Sequence, residues 1–244
     1  MDDSPSPELS PLPGGETPPS TSGKMPDATS PSVTSDNPGP LVSGLHFRGK
    51  LPHVKREGAA YFVTFRLADS LPASEIARLK HEHTVIVDQA RAARRPLTWH
   101  EERQLLAWYC QKVESLLDAG RGSCWLNQPE VADLVATALR FFDGQRYDLW
   151  AWVIMPNHVH ALLWPHPGHT LSGILHSWKS YTSKEAGKVL NRKGETFWQA
   201  ESFDHFIRDD GERARLADYL ANNPVKAGLC KRPEDWKWSS THEP

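Results

Sequence analysis

The chain has 244 residues, and residues 1–43 hold ten of its twenty prolines and nine serines with no Trp, Tyr or Phe; such a stretch cannot bury enough apolar surface to offset its ordering entropy, so 1–43 is expected to be a disordered tail and 44–244 a single domain. Six acids against Lys24 give the tail a net −5, which leaves +3 of the overall −2 on residues 44–244, together with all twelve histidines and all ten tryptophans. The absence of any run of 18 apolar residues argues against a membrane span, the polar N-terminus argues against a secretory signal, and three cysteines without CxxC spacing argue against a disulfide framework or a Cys-based zinc site; the expected location is cytoplasmic.

In chain order, residues 59–67 alternate as a strand does, and Ala73–Ala93 carries apolar residues at helical spacing. Thr98-Trp99-His100-Glu101 is a capping box that starts a second helix reaching about Leu117, with Gly120 as a stop signal. Pro129–Phe142 reads as a third helix. Two β-like runs, Tyr147–Met155 and His158–Trp164, flank the turn pair Pro156-Asn157. Ser172 to about Leu190 is helical, Thr196–Ile207 contains a weaker strand, and Asp209-Asp210-Gly211 leads into a short helix that ends before Pro224. This order predicts an α+β domain with a largely antiparallel sheet covered by helices, in a ferredoxin-like βαββαβ arrangement with residues 98–119 as an insertion.

Two segments carry chemistry. On a strand, residues i and i+2 share a face, about 6.6–7 Å apart, so His158 and His160 converge and can hold one divalent metal. Taken alone, the pair reads more simply as two histidines at the wet end of a half-buried strand. In Glu212–Lys226, Tyr219 and Asn223 stand at i and i+4 and lie on one helical face. They can serve as a phenol and a carboxamide at one site, or as a packing residue and a helix end. Basic and aromatic side chains add candidate nucleic-acid contacts: Lys184, Lys188 and Arg192 at i, i+4, i+8, Lys179 nearby, and Trp198 with Gln199 for stacking on and bonding a splayed base.

Taken together, Pro156-Asn157-His158-Val159-His160 and, 59 residues after His160, the helical tyrosine of Asp218-Tyr219-Leu220-Ala221-Asn222-Asn223-Pro224-Val225-Lys226-Ala227-Gly228-Leu229 resemble the single-tyrosine HUH transposases, and among them the REP-associated tyrosine transposases. Supporting phrases include Arg48–His53, Tyr61–Leu67, Phe197-Trp198-Gln199, Phe203–Arg208 and Glu234–Ser240, so the resemblance spans about residues 46–240. It implies an HUH endonuclease fold, His158, His160 and Asn223 as ligands of Mg2+ or Mn2+, and Tyr219 as the nucleophile. Many single-tyrosine relatives carry Gln where Asn223 stands, and the shorter arm departs from that pattern. Tyr181 is a second tyrosine candidate, but position 185, one turn on, is Glu. The implied activity is nicking and rejoining of single-stranded hairpin DNA through a 5′-phosphotyrosine. A non-cleaving hairpin-binding protein and a water-activating metal phosphodiesterase are the alternatives, and both monomer and homodimer stay open.

Overall fold

The computed structural model describes residues 44–48, 51–55, 58–72, 74–75, 88–95, 98–108 and 112–242. The tail expected over 1–43 and the middle of the helix expected over 73–93 lie outside the described residues; 74–75 and 88–92 are helical.

Strands β1 (Gly44–Arg48) and β2 (Leu51–Lys55) pair antiparallel as a separate two-stranded sheet that the sequence reading does not anticipate. The main sheet uses β3 (Ala60–Arg66), β4 (Tyr147–Ile154), β5 (His158–Pro165) and β6 (Phe203–Ile207) in the order β4-β5-β3-β6, every pair antiparallel. With α3 (Pro129–Arg140) before the β4–β5 hairpin and α4 (Leu171–Val189) after it, this is the expected βαββαβ order. The insertion between β3 and α3 holds α1 (Trp99–Trp108) and α2 (Glu114–Asp118), within the span of the expected second helix, and residues 109–111 between them lie outside the described residues. The capping box that starts α1 forms as read: Glu101 N–H donates to Thr98 Oγ1, and Thr98 N–H donates to the Glu101 carboxylate.

Alternation sorts the strands onto two faces. Tyr61, Val63, Phe65, Trp152, Ile154, Val159, Ala161 and Leu163 pack with α3 and α4. Their polar tips are satisfied inside that layer: Trp178 Nε1 donates to Tyr147 Oη (2.9 Å), Tyr147 Oη donates to Leu139 O (2.7 Å), and Trp198 Nε1 donates to Thr182 Oγ1 (2.8 Å). A βαββαβ unit leaves its second face open, and here a further helix, α5 (Asp210–Lys226), lies on it. Leu216 and Leu220 meet Phe62, Ala151, Val153 and Leu162.

The structure extends α5 through Pro224 to Lys226, past the expected end. Pro224 lacks the N–H that would bond Leu220 O, yet it is buried, and burial of this turn offsets the lost bond. The extension keeps Asn223 inside the helix, one turn from Tyr219. Among the described residues, no helix is long and apolar enough to cross a membrane.

Candidate active site

His158 and His160 alternate with Val159, so both rings face α5, and neither exposes any surface. The ring centroids are 4.7 Å apart. Each ring is oriented through Nδ1. Asn157 Nδ2 donates to Leu117 O (3.0 Å) and Arg121 O (3.1 Å), which turns Asn157 Oδ1 toward His158 Nδ1 at 2.7 Å. A carboxamide oxygen can only accept, so Nδ1 carries the proton and Nε2 presents its lone pair. His160 Nδ1 lies 2.7 Å from Thr64 Oγ1, its cross-strand partner. Burial pushes the His158 imidazole down to about 3, with the Arg66 charge adding to it. Burial and the neighbouring His158 hold His160 well below its usual range. Both rings are therefore neutral at physiological pH, the state in which imidazole binds metal.

Tyr219 enters from α5. Its ring stands edge-on to His160 at 6.1 Å and to Phe62 at 6.2 Å. The ring is half-buried, while its hydroxyl is shielded from solvent and has no hydrogen-bond partner among the described residues. An unbonded buried hydroxyl is costly, and such a group needs a reason to be there. One turn on, Asn223 is 1% exposed, with its Oδ1 shielded. Lys226 Nζ lies 4.6 Å from the Tyr219 ring centroid. Tyr219 thus meets His160 between β5 and α5, beside His158, with Asn223 buried one turn further along the helix. Tyr181 is on α4, which packs on the opposite face of the sheet.

The donor set suits a divalent cation. His158 Nε2 is buried, carries a lone pair and bonds to no described group, while His160 Nε2 and Asn223 Oδ1 are also shielded. Among the described residues, no cluster of three His, Cys, Asp or Glu could hold a metal, so the donors on offer here are the two imidazoles and the Asn223 amide.

The expected DNA contacts fare differently. Lys179 spends all three ammonium donors inside the chain, on Gln199 O (2.8 Å), Ala200 O (3.0 Å) and Ser202 Oγ (2.9 Å). Burial and then the Arg66 charge lower its pKa to about 8, which suits a brace for the 199–202 loop rather than a phosphate contact. Trp198 is 5% exposed and packs edge-on against Phe65 at 4.8 Å; it belongs to the core and offers no open face for a base. Gln199 is half-buried, and its N–H donates to Arg66 O. Lys184 is exposed, whereas Lys188 pairs with Glu185 at 2.7 Å. Arg192 pairs with Glu195 and lies over the Trp125 ring at 5.3 Å. Because α4 ends at Val189 and Asn191 turns left-handed (φ 54°), Arg192 leaves the expected helical stripe.

Three site residues escape the sequence reading: Asn157, Thr64 and Arg66. Arg66 is the cross-strand partner of His158, and its guanidinium donates to Ser70 Oγ at 3.1 Å. Thr64 and Arg66 alternate on β3 as the histidines do on β5, but only the β3–β5 register makes them neighbours.

Residues 125–223 match the family model described as transposase, IS200-like. The chain is similar to the REP-associated tyrosine transposase of Escherichia coli (strain K12), at 29% identity over 96 residues, covering 39% of this chain and 55% of that protein. It is also similar to a Haemophilus influenzae protein provisionally named a REP-associated tyrosine transposase, at 30% identity over 98 residues, covering 36% of this chain and 56% of that protein. The chain thus spans about half the length of these curated relatives. Among solved structures, it is similar to a REP-associated tyrosine transposase bound to a REP hairpin, with a TM-score of 0.42 and 18% identity over 80% of this chain and 84% of that one.

Proposed function

We propose, from the match of residues 125–223 to the IS200-like transposase model, that this chain is a transposase of that kind and that it nicks and rejoins single-stranded DNA through Tyr219 and a divalent metal, with hairpins as its substrate. The observation that carries this reading is the buried, unbonded Tyr219 hydroxyl on the helix that faces two neutral imidazoles.

His158 Nε2, His160 Nε2 and Asn223 Oδ1 would hold Mg2+ or Mn2+, and imidazole ligation suits Mn2+ somewhat better. Bound there, the cation supplies Lewis-acid polarisation of the scissile phosphate, and neutral ligands leave its charge undiminished. Asn157 and Thr64 hold the two rings in position. A phenol is a weak nucleophile at neutral pH. Lys226 over the ring adds positive charge beside a phenol that must shed its proton. Attack forms the bond from Tyr219 Oη to phosphorus and breaks the bond to the 3′ oxygen, which leaves as a hydroxyl after taking up a proton. The product is a 5′-phosphotyrosine, whose conserved bond energy lets the 3′-OH re-attack and rejoin the strand without ATP. Arg66, beside His158, places a cation where the phosphate arrives. The hairpin substrate follows the relatives, one of which is named as bound to a REP hairpin.

Cleavage of a labelled hairpin oligonucleotide tests the metal half of this reading. The chain should cut with Mn2+ and stop with a chelator, and His158→Ala should abolish cutting while hairpin binding survives. Metal-dependent cutting by His158→Ala at the wild-type rate would move the metal elsewhere.

A further inference from the structure

Helix α5 covers only part of the second sheet face. The alternation that aims His158 and His160 at α5 continues through Leu162 to Trp164 on the same side. On β4 the register shifts between Leu149, opposite Leu163, and Ala151, opposite Leu162, which leaves Trp150 as the extra residue. Such a bulge takes a side chain out of regular alternation and re-aims it. Ala151 is buried in the cluster under α5, whereas Trp150 is 39% exposed. Arg213, near the start of α5, lies over Trp150 with its guanidinium carbon 4.7 Å from the ring centroid, so the ring is on the α5 side. Trp164 Nε1 donates to Gly58 O (3.0 Å), and its ring meets His166 edge-on at 5.6 Å.

This aromatic surface adjoins the candidate active site. His160 is opposite Val153, and the bulge is opposite Leu162, two residues or about 7 Å along β5. Arg213 and Tyr219 are six residues apart on one helix, about 9 Å along its axis. The charges on this face are partly matched: Asp148 bonds His166 Nε2 at 2.8 Å, and Arg213 pairs with Asp210 at 3.0 Å. A large indole pushed out by a bulge, with a guanidinium over its face, is a poor seat for an apolar protein surface, which the charge would penalise. It suits a flat heteroaromatic ring joined to a phosphate.

We propose that Trp150, with Arg213 over it and Trp164 on the same face, is a stacking site for an unpaired nucleobase of the strand whose phosphate reaches Tyr219. The proposal rests on the reading of the chain as a single-stranded DNA enzyme and names where that strand is gripped. Stacking on one indole is worth about a tenfold change in affinity. The probe is a DNA hairpin with a single-stranded flank carrying 2-aminopurine, compared with the same hairpin without a flank. Wild-type chain should quench the 2-aminopurine. Trp150→Ala should bind the flanked hairpin about tenfold more weakly without quenching, and should bind the flankless hairpin as wild type does; Trp150→Phe should recover most of the loss. Photo-crosslinking of wild-type chain to 5-iodouracil in the flank, which needs no substitution, should label the peptide containing Trp150. Unchanged affinity and quenching in Trp150→Ala, or a crosslink found only elsewhere, overturns the proposal and leaves the tyrosine reading standing. A wild-type chain that neither binds nor cuts single-stranded DNA overturns both.

Discussion

The imidazoles at this site are oriented by neighbours that bond their Nδ1 atoms. Asn157 is fully buried and uses both ends of its amide, two carbonyls on one side and His158 on the other. Groups that orient a metal ligand in this way are worth tenfold to a hundredfold in metal affinity. Asn157→Ala should therefore weaken Mn2+ binding, read by titration calorimetry, by about that factor, with an unchanged far-UV spectrum. Wild-type Mn2+ affinity in a folded Asn157→Ala chain would show that His158 needs no such support. Nothing about Asn157 was legible in the sequence beyond its aptness for a turn after Pro156. Its role depends on Leu117 and Arg121, which approach only when the chain folds. Thr64 was hidden for the same reason, since its partner His160 lies 96 residues away.

Helix α5 brings the tyrosine to the histidines, and its start is fixed by a buried carboxylate. Asp209 caps it by accepting from Glu212 N–H at 2.7 Å. Glu212 in turn ties β6 to α5, bonding His205 Nε2 (3.1 Å), Arg208 N–H (3.0 Å) and the Arg208 guanidinium (3.3 Å). Burial alone would raise the Glu212 carboxyl, but the bonds from His205 and Arg208 outweigh it and hold the carboxyl down at about 2 against an ordinary 4.5. A folded-state value below the unfolded one stabilises the fold above about pH 4.5, and that stability is lost as pH falls through about 2. Glu212→Gln should cost about 1–3 kcal/mol at pH 7 in denaturant unfolding, and its gap from wild type should narrow as pH drops from 4.5 toward 2. A gap that does not vary with pH would mean the ionised carboxylate is not what holds the helix. Elements governed by local rules were readable: the β4–β5 hairpin, the Thr98–Glu101 cap, and the i, i+4 pair on α5. Readings that needed tertiary knowledge failed. A lysine stem on a helix looks the same whether its head meets solvent or, as for Lys179, three acceptors in the 199–202 loop. The tryptophan at 198 is equally uninformative until its place against Phe65 is known.

At the scale of the molecule, the fold sets one helix on the open face of a ferredoxin-like sheet, so that Tyr219 on α5 approaches the His158 and His160 pair on β5. A chain that only bound hairpins would need no hydroxyl at Tyr219, and one that activated water would not use that hydroxyl as its nucleophile. Covalent capture separates the three. Wild-type chain incubated with hairpin single-stranded DNA and Mn2+ should give a protein–DNA adduct on a denaturing gel, with the nucleotide mapped to the peptide containing Asp218-Tyr219-Leu220. Tyr219→Phe, which keeps the ring against Phe62 and His160, should bind the hairpin and give no adduct and no cleavage, while Tyr181→Phe should behave as wild type. Undiminished cleavage by Tyr219→Phe, or an adduct mapped to another residue, would contradict the account.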